Sequence, residues 1–234
     1  MGGHMGGEVA SHWAVEAIKV ELADLFCQKD PRATVRLSEA EIKAIVEGTD
    51  STRMSPGIRV ESQIRKAIQK ANQVVMDYSE KRPEKAAEAG ATLTMAVVIG
   101  RRTIIANVGD SRTYLLRDHK LRQITQDHSL VASLVSSGQI KPEDVFSHPQ
   151  RNMIYRSLGQ KRQLQIDTFG EVLEPGDYLL LCSDGLWEMV HDEDLMVRLI
   201  ESANSLDNAC KKLIDAANKA GGEDNISVVL AHVT

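Results

Sequence analysis

At 234 residues the chain can bury one substantial core, and 42% hydrophobic with 26% charged residues is the make-up of a globular protein. A net charge of −5 without a Lys/Arg stripe argues against nucleic acid as the main partner. The three cysteines, Cys27, Cys182 and Cys210, are far apart, which excludes a zinc motif or disulfide frame and predicts reduced thiols in a cytoplasmic protein. The longest apolar run, LLLC at 179–182, is too short for a membrane span, and no secretory leader pattern is read at the start.

The chain opens MGGHMGGE, a glycine- and histidine-rich stretch that suits either a tag remnant or a backbone passing close to a ligand. Val9, Trp13, Ala17, Ile18, Leu22, Leu25 and Phe26 recur at helical spacing, predicting an amphipathic helix over 8–27. Ser38 and Glu41 form a capping-box pattern ahead of a loop, GTDSTRMSPG, and a second helical stripe runs from Val60 to Tyr78. Residues 81–90 read as a charged connector.

From Gly90 the pattern changes to short β-rich runs, ATLTMAVVIG, TIIANV, TYLLRD and KLRQIT, read as an antiparallel meander. SLVASLVSSG is a short apolar-periodic stretch, followed by a Pro-containing loop. IDTFGEV and YLLLC resume the strands. DEDLMVRLIESA and SLDNACKKLIDAANKA predict helices, the second stopped by Gly221 and Gly222, and ISVVLAHV is a last strand. LLLC is apolar at every position, so its strand should be covered on both faces. The order predicts an α+β sandwich, antiparallel sheets with helices packed outside.

Asp110 in NVGDSR, Asp184 in LLLCSDG and Asp224 in GGEDN each sit at a strand end or turn beside glycine or a small residue. A hard divalent cation takes several such oxygens, with water completing its shell. Each word also has a plain reading: a two-residue hairpin, a helix cap and a helix stop, respectively.

Together, NVGDSRTYLLR, QITQDHSLV, SSGQI, HPQRNMIYRSLG, EPGDYLLLCSDGLWEMV and GGEDNISVVL resemble the metal-dependent protein phosphatases of type 2C, the PPM family, in particular the bacterial serine/threonine phosphatases. The resemblance covers 1–28 and 60–234, leaving 29–58 as a divergent insert. MGGHMGGE falls in register with the family's Asp-Gly-Met-Gly-Gly-His-x-x-Gly-Glu. It implies one domain, a four-layer sandwich of two antiparallel β-sheets flanked by α-helices, N-terminally truncated because the family's Asp-Gly would precede Met1.

The resemblance further implies Mg²⁺ or Mn²⁺, two ions in a core site and a possible third. Asp184 and Asp224 match core ligands, and Asp110 joins Asp184 at the accessory site. Gly2, Gly3, Gly185 and Asn225 support the site, and His4 lies near the metals as a catalytic candidate. Residues 127–160 match a flap on which Arg151 and Arg156 are candidates to contact substrate phosphate, an ordinary solvated charge being the plain reading of each, while His128, His148 and Trp187 read as structural. The implied activity is hydrolysis of phosphoserine and phosphothreonine in proteins, opposing a serine/threonine kinase in bacterial cytoplasmic signalling. Without the bridging Asp, the alternative is an inactive phosphoprotein-binding module; a phosphodiesterase on the same metal logic is a broader rival.

Overall fold

The computed structural model describes residues 6–23, 25, 56–81 and 90–234. The capping box at Ser38, the connector at 82–89 and the insert up to residue 55 lie outside them.

Helix α1 spans Gly7–Leu22 and α2 spans Pro56–Lys81, so α2 begins inside the expected insert. Strands β1 (Leu93–Ile99), β2 (Arg102–Val108), β3 (Arg112–Arg117) and β4 (Lys120–Gln123) follow. Helix α3 (Leu130–Ser136) and a 3₁₀ turn (Pro142–Ser147) precede β5 (Asp167–Val172) and β6 (Tyr178–Cys182). The chain finishes with α4 (Asp184–Trp187), α5 (Glu193–Glu201), α6 (Leu206–Lys219) and β7 (Val228–His232).

The strands form two antiparallel sheets, ordered β1-β2-β5 and β4-β3-β6-β7. Ile105, Leu115, Ile124, Leu173 and Leu179 pack between them. Ala10, Ala14, Ile64, Ile68 and Val75 of α1 and α2 cover the outer face of the first sheet against Val97, Ala106 and Val108. Met196, Ile200 and Leu213 of α5 and α6 cover the second against Tyr114 and Leu180. The layers are helix, sheet, sheet, helix. Because side chains alternate along a strand, Leu179 enters the inter-sheet core and Leu180 the helix-side core, which is why LLLC is apolar throughout.

Two readings of the sequence change. The first helix ends at Leu22, and its buried positions are Ala10, Ala14 and Leu22, whereas Trp13 is 44% exposed. Small residues on that face let α1 lie close against α2, and the large indole is left on the outside. The meander is also two hairpins in different sheets. β1 turns into β2 through Gly100, and β3 into β4 through Asp118 and His119, both at positive φ as a two-residue turn of this kind demands. NVGDS is therefore no hairpin: it carries the chain from one sheet to the other. Gly109 makes the step at φ 105°, where an added Cβ would lie 2.5 Å from Thr92 Cγ2. Among the described residues no helix is long and apolar enough to cross a membrane.

Near the opposite end of β3, Arg117 grips the buried Asp177, with Nε 2.9 Å from Oδ1 and Nη2 2.5 Å from Oδ2, and the Glu174 amide donates to Oδ2 as well. The guanidinium hydrogen bond holds the Asp177 carboxyl below the usual carboxylate range. A depressed folded-state pKa gives stability that is present above the ordinary Asp value of about 4 and lost as pH falls through the lower one. Urea midpoints of wild type should therefore drop more steeply below about pH 4 than those of Asp177→Asn, which is less stable at neutral pH.

Candidate metal centre

The two sheets open at one edge into a cleft of about 1010 Å³, lined by Asp110, Asp184, Asp224, Glu188 and Arg151 among others. Asp110 reaches it from the β2–β3 crossing, Asp184 from the end of β6 at the first turn of α4, and Asp224 from the loop before β7.

Backbone contacts fix the last two relative to each other. Ser183 N–H donates to Ser227 O (3.1 Å), Ser227 N–H donates to Ser183 Oγ (2.9 Å), and that hydroxyl donates to Asn225 O (3.1 Å). Gly185 is essential to this closeness, since a Cβ there would collide with the Asn225 carbonyl. Each carboxylate is steadied by the amide that follows it: Gly185 N–H to Asp184 Oδ1 at 2.9 Å, Asn225 N–H to Asp224 Oδ1 at 2.7 Å. Asn225 thus secures the loop through its main chain.

The electrostatics are those of crowded anions. Burial, then the charges of Asp184 and Asp127, push the Asp110 carboxyl up to about 7. Burial and the neighbouring Asp224 raise Asp184, and burial with Asp184 raises Glu188. A donor set of carboxylate oxygens that repel one another fits a hard divalent cation. The couplings pair Asp184 with Asp224 and Asp184 with Asp110. Among the described residues no three His, Cys, Asp or Glu form a complete metal cluster, so water has to fill positions in any shell these pairs build.

Glu188 is a residue that the sequence reading passed over. It stands one turn after Asp184 as the C-cap of α4, its N–H bonded to the Asp184 carbonyl at 2.8 Å, and an acidic i, i+4 pair after a buried strand was the available signal. Arg151 lines the cleft as expected, but its guanidinium is engaged: Nη2 lies 2.9 Å from Glu223 and Nε 4.0 Å from Glu188. Arg156 does not line the cleft. Its Nη1 pairs with Asp167 (2.8 Å) and its Nη2 with Gln165 (3.0 Å), beside a separate groove, because the chain has turned away from the opening by that point. Trp187 is buried and donates Nε1–H to the Asp110 carbonyl at 3.0 Å, so it packs and braces at once. Gly2, Gly3 and His4 lie outside the described residues.

Two substitutions test this electrostatic picture. Asp110→Asn removes a buried, repelled carboxylate, so the metal-free variant should melt above wild type at pH 8, while its gain in melting temperature with Mn²⁺ is smaller. Gly185→Ala should leave far-UV dichroism intact yet weaken Mn²⁺ binding about tenfold or more in calorimetry, because Asp224 is pushed from Asp184.

The protein phosphatase 2C family pattern matches residues 7–133 and 172–226. The serine/threonine phosphatase stp of Listeria monocytogenes is 38% identical over 230 residues, 98% of this chain and 80% of that protein. Protein phosphatase PhpP of Streptococcus pneumoniae is 36% identical, with 98% and 81% covered. Among solved structures, serine/threonine phosphatase Stp1 from Staphylococcus aureus superposes with a TM-score of 0.81 at 32% identity, covering 100% of this chain and 81% of that one. The catalytic domain of PstP in complex with two manganese ions gives 0.75 at 30% identity, covering 100% and 85%. With aspartates from three separate strand ends meeting in one cleft of this four-layer sandwich, the chain belongs to the protein phosphatase 2C family.

Proposed function

We propose that this chain hydrolyses phosphoserine and phosphothreonine monoesters in proteins, as a metal-dependent serine/threonine phosphatase. The observation that carries the reading is that Asp110, Asp184 and Asp224 line one cleft, Asp184 coupled by repulsion to each of the other two. Asp184 and Asp224 would hold Mg²⁺ or Mn²⁺ in the core site, and Asp110 with Asp184 an accessory ion. Such a metal, when bound, supplies a water of lowered pKa and a Lewis acid for in-line attack on phosphorus.

The protein's own groups divide the remaining tasks. Gly185 and the Ser183–Ser227 contacts keep the core carboxylates adjacent, so ligand geometry is set before substrate arrives. Arg151 faces the opening and, released from Glu223, is the cation placed to meet a phosphate dianion. Glu188 keeps the inner wall acidic, disfavouring a free anion where no metal offsets it. Cys182 lines the cleft but is no nucleophile, since burial pushes its thiol up to about 12. The substrates are phosphoproteins made by an opposing serine/threonine kinase, in the cytoplasm where ATP-dependent phosphorylation occurs, with no need of nucleic acid or membrane. Segment 127–160, whose Arg151, Asn152 and Ile154 reach the cleft, serves as the flap that selects among them.

Hydrolysis of a phosphothreonine peptide in Mn²⁺ tests the reading. Turnover should fall about 10²-fold or more in Asp184→Asn. Unchanged turnover in that variant would remove Asp184 from the site. A metal-loaded wild type that binds phosphopeptide without hydrolysing it would overturn the phosphatase reading in favour of a binding module.

A further inference from the structure

The stretch that carries Asp110 into the cleft is held at three backbone atoms, Gly109 N, Gly109 O and Asp110 O. Gly109 N–H donates to His128 Nδ1 at 2.9 Å. Gly109 O accepts from Asn107 Nδ2 at 3.1 Å and from the His128 N–H at 2.9 Å, and Asp110 O accepts from Trp187 Nε1 at 3.0 Å. His128 contributes twice and is 2% exposed.

Its ring leaves no freedom of tautomer. Nδ1 faces a backbone donor and has to be bare, so the proton sits on Nε2 and is donated to Asp167 Oδ2 at 3.0 Å. Arg156 Nη1 donates to the other oxygen of Asp167 at 2.8 Å; its 2.9 Å approach to Nε2 is then the meeting of two donors over one carboxylate. Burial, the largest influence, keeps the imidazole below its usual pKa and so neutral.

Gly109 is at φ 105°, a conformation for which no intrinsic preference selects one direction of the Asp110 side chain. The Asp110 carboxylate lines the cleft together with Asp184, and its direction rests on the contacts that hold the peptide behind it. We propose that His128 is a positioning residue for the accessory metal ligand: through its bare Nδ1 it holds the Gly109 amide, and so aims Asp110 at Asp184, with Asp167 fixing the ring. The proposal rests on the reading of Asp110 as a metal ligand.

Asparagine and glutamine separate the two ends of the imidazole. Asn places Oδ1 where Nδ1 was and keeps the acceptor for Gly109; Gln places its amide nitrogen near the Nε2 position and keeps only the Asp167 side. Free Mn²⁺ measured by room-temperature EPR, with the Gly109 amide signal followed in ¹⁵N-glycine-labelled protein, reads both consequences. His128→Asn should bind Mn²⁺ within about threefold of wild type with a protected Gly109 amide. His128→Gln should lose that protection and bind about tenfold more weakly, as loss of an outer-shell partner does. In an Asp110→Asn background His128→Gln should change Mn²⁺ binding no further.

Equal weakening by Asn and Gln, or a Gln effect that persists without Asp110, overturns the proposal and leaves His128 a packing residue. Unchanged Mn²⁺ binding in Asp110→Asn alone overturns the metal reading of Asp110, and the proposal with it. If His128→Gln does not fold, Asp167→Ala carries the test, since a partly exposed carboxylate is replaced and the ring's Nε2 anchor is lost together with the Arg156 pair. A shifted Gly109 amide with weaker Mn²⁺ binding supports the proposal; a shifted amide with unchanged binding overturns it.

Discussion

Like charges in a cleft partly shielded from water repel several times more strongly than they would in bulk solvent, and that repulsion is the constraint the molecule is built around. Asp184, Asp224 and Asp110 come from three stretches of chain, and nothing in their own chemistry draws them together. What does so is neutral: two sheets packed through Ile105, Leu115 and Leu179, whose strands end at the same edge, and loops that bond to one another by main chain. The core supplies the work of holding anions close, and a cation in the cleft recovers part of it on binding.

The support under Asp110 shows how far this goes. Arg112, next along β3, makes a bidentate pair with the buried Asp127, at 3.1 and 2.7 Å, and its guanidinium lies 3.5 Å over the Trp187 ring. The same indole donates to the Asp110 carbonyl. One cation therefore offsets the charge of Asp127, stiffens the aromatic ring and, through that ring, fixes the peptide of the neighbouring acid. Burying such a pair costs desolvation and adds little net stability, so its contribution here is to placement.

Local signals made most of the fold legible and only part of the site. Strand β6 and helices α5 and α6 followed from pattern, with Asp192 and Ser205 capping as their residue types favour. Asp184 stood out because it ends a strand apolar on both faces; Gly185 entered only through the family resemblance, since the main-chain approach of Asn225 that demands glycine there is invisible in the sequence. Trp13 misled because helical periodicity does not say which stripe faces the neighbour, and two alanines won that face. NVGDS read as a hairpin since turn chemistry is the same whether the next strand pairs with the last or leaves for another sheet. The bond from His128 to Asp167 spans 39 residues and comes from two words with no shared pattern, so no reading of neighbours could have joined them.

The segment from 127 to 160 combines two demands that would conflict in a looser loop. Its ends pair with each other: Ser129 bridges Ile154, Leu130 N–H reaches Met153 O, and Tyr155 N–H reaches His128 O. Beyond that closure the chain runs out to the cleft rim, where Arg151 meets Glu223 and Phe146 stacks on His191 at 3.7 Å. Behind it, Leu158 exchanges both main-chain bonds with Ala91. A loop closed at its neck can rearrange its tip without passing the displacement to the neck, because the neck bonds are satisfied within the segment itself. Arg151, two residues before that ladder, meets Glu223 at the cleft, while His128 at the neck holds the Gly109 amide. One segment therefore lines the cleft through Arg151 and supports the Gly109 peptide through His128, and the ladder that closes it ties the two together.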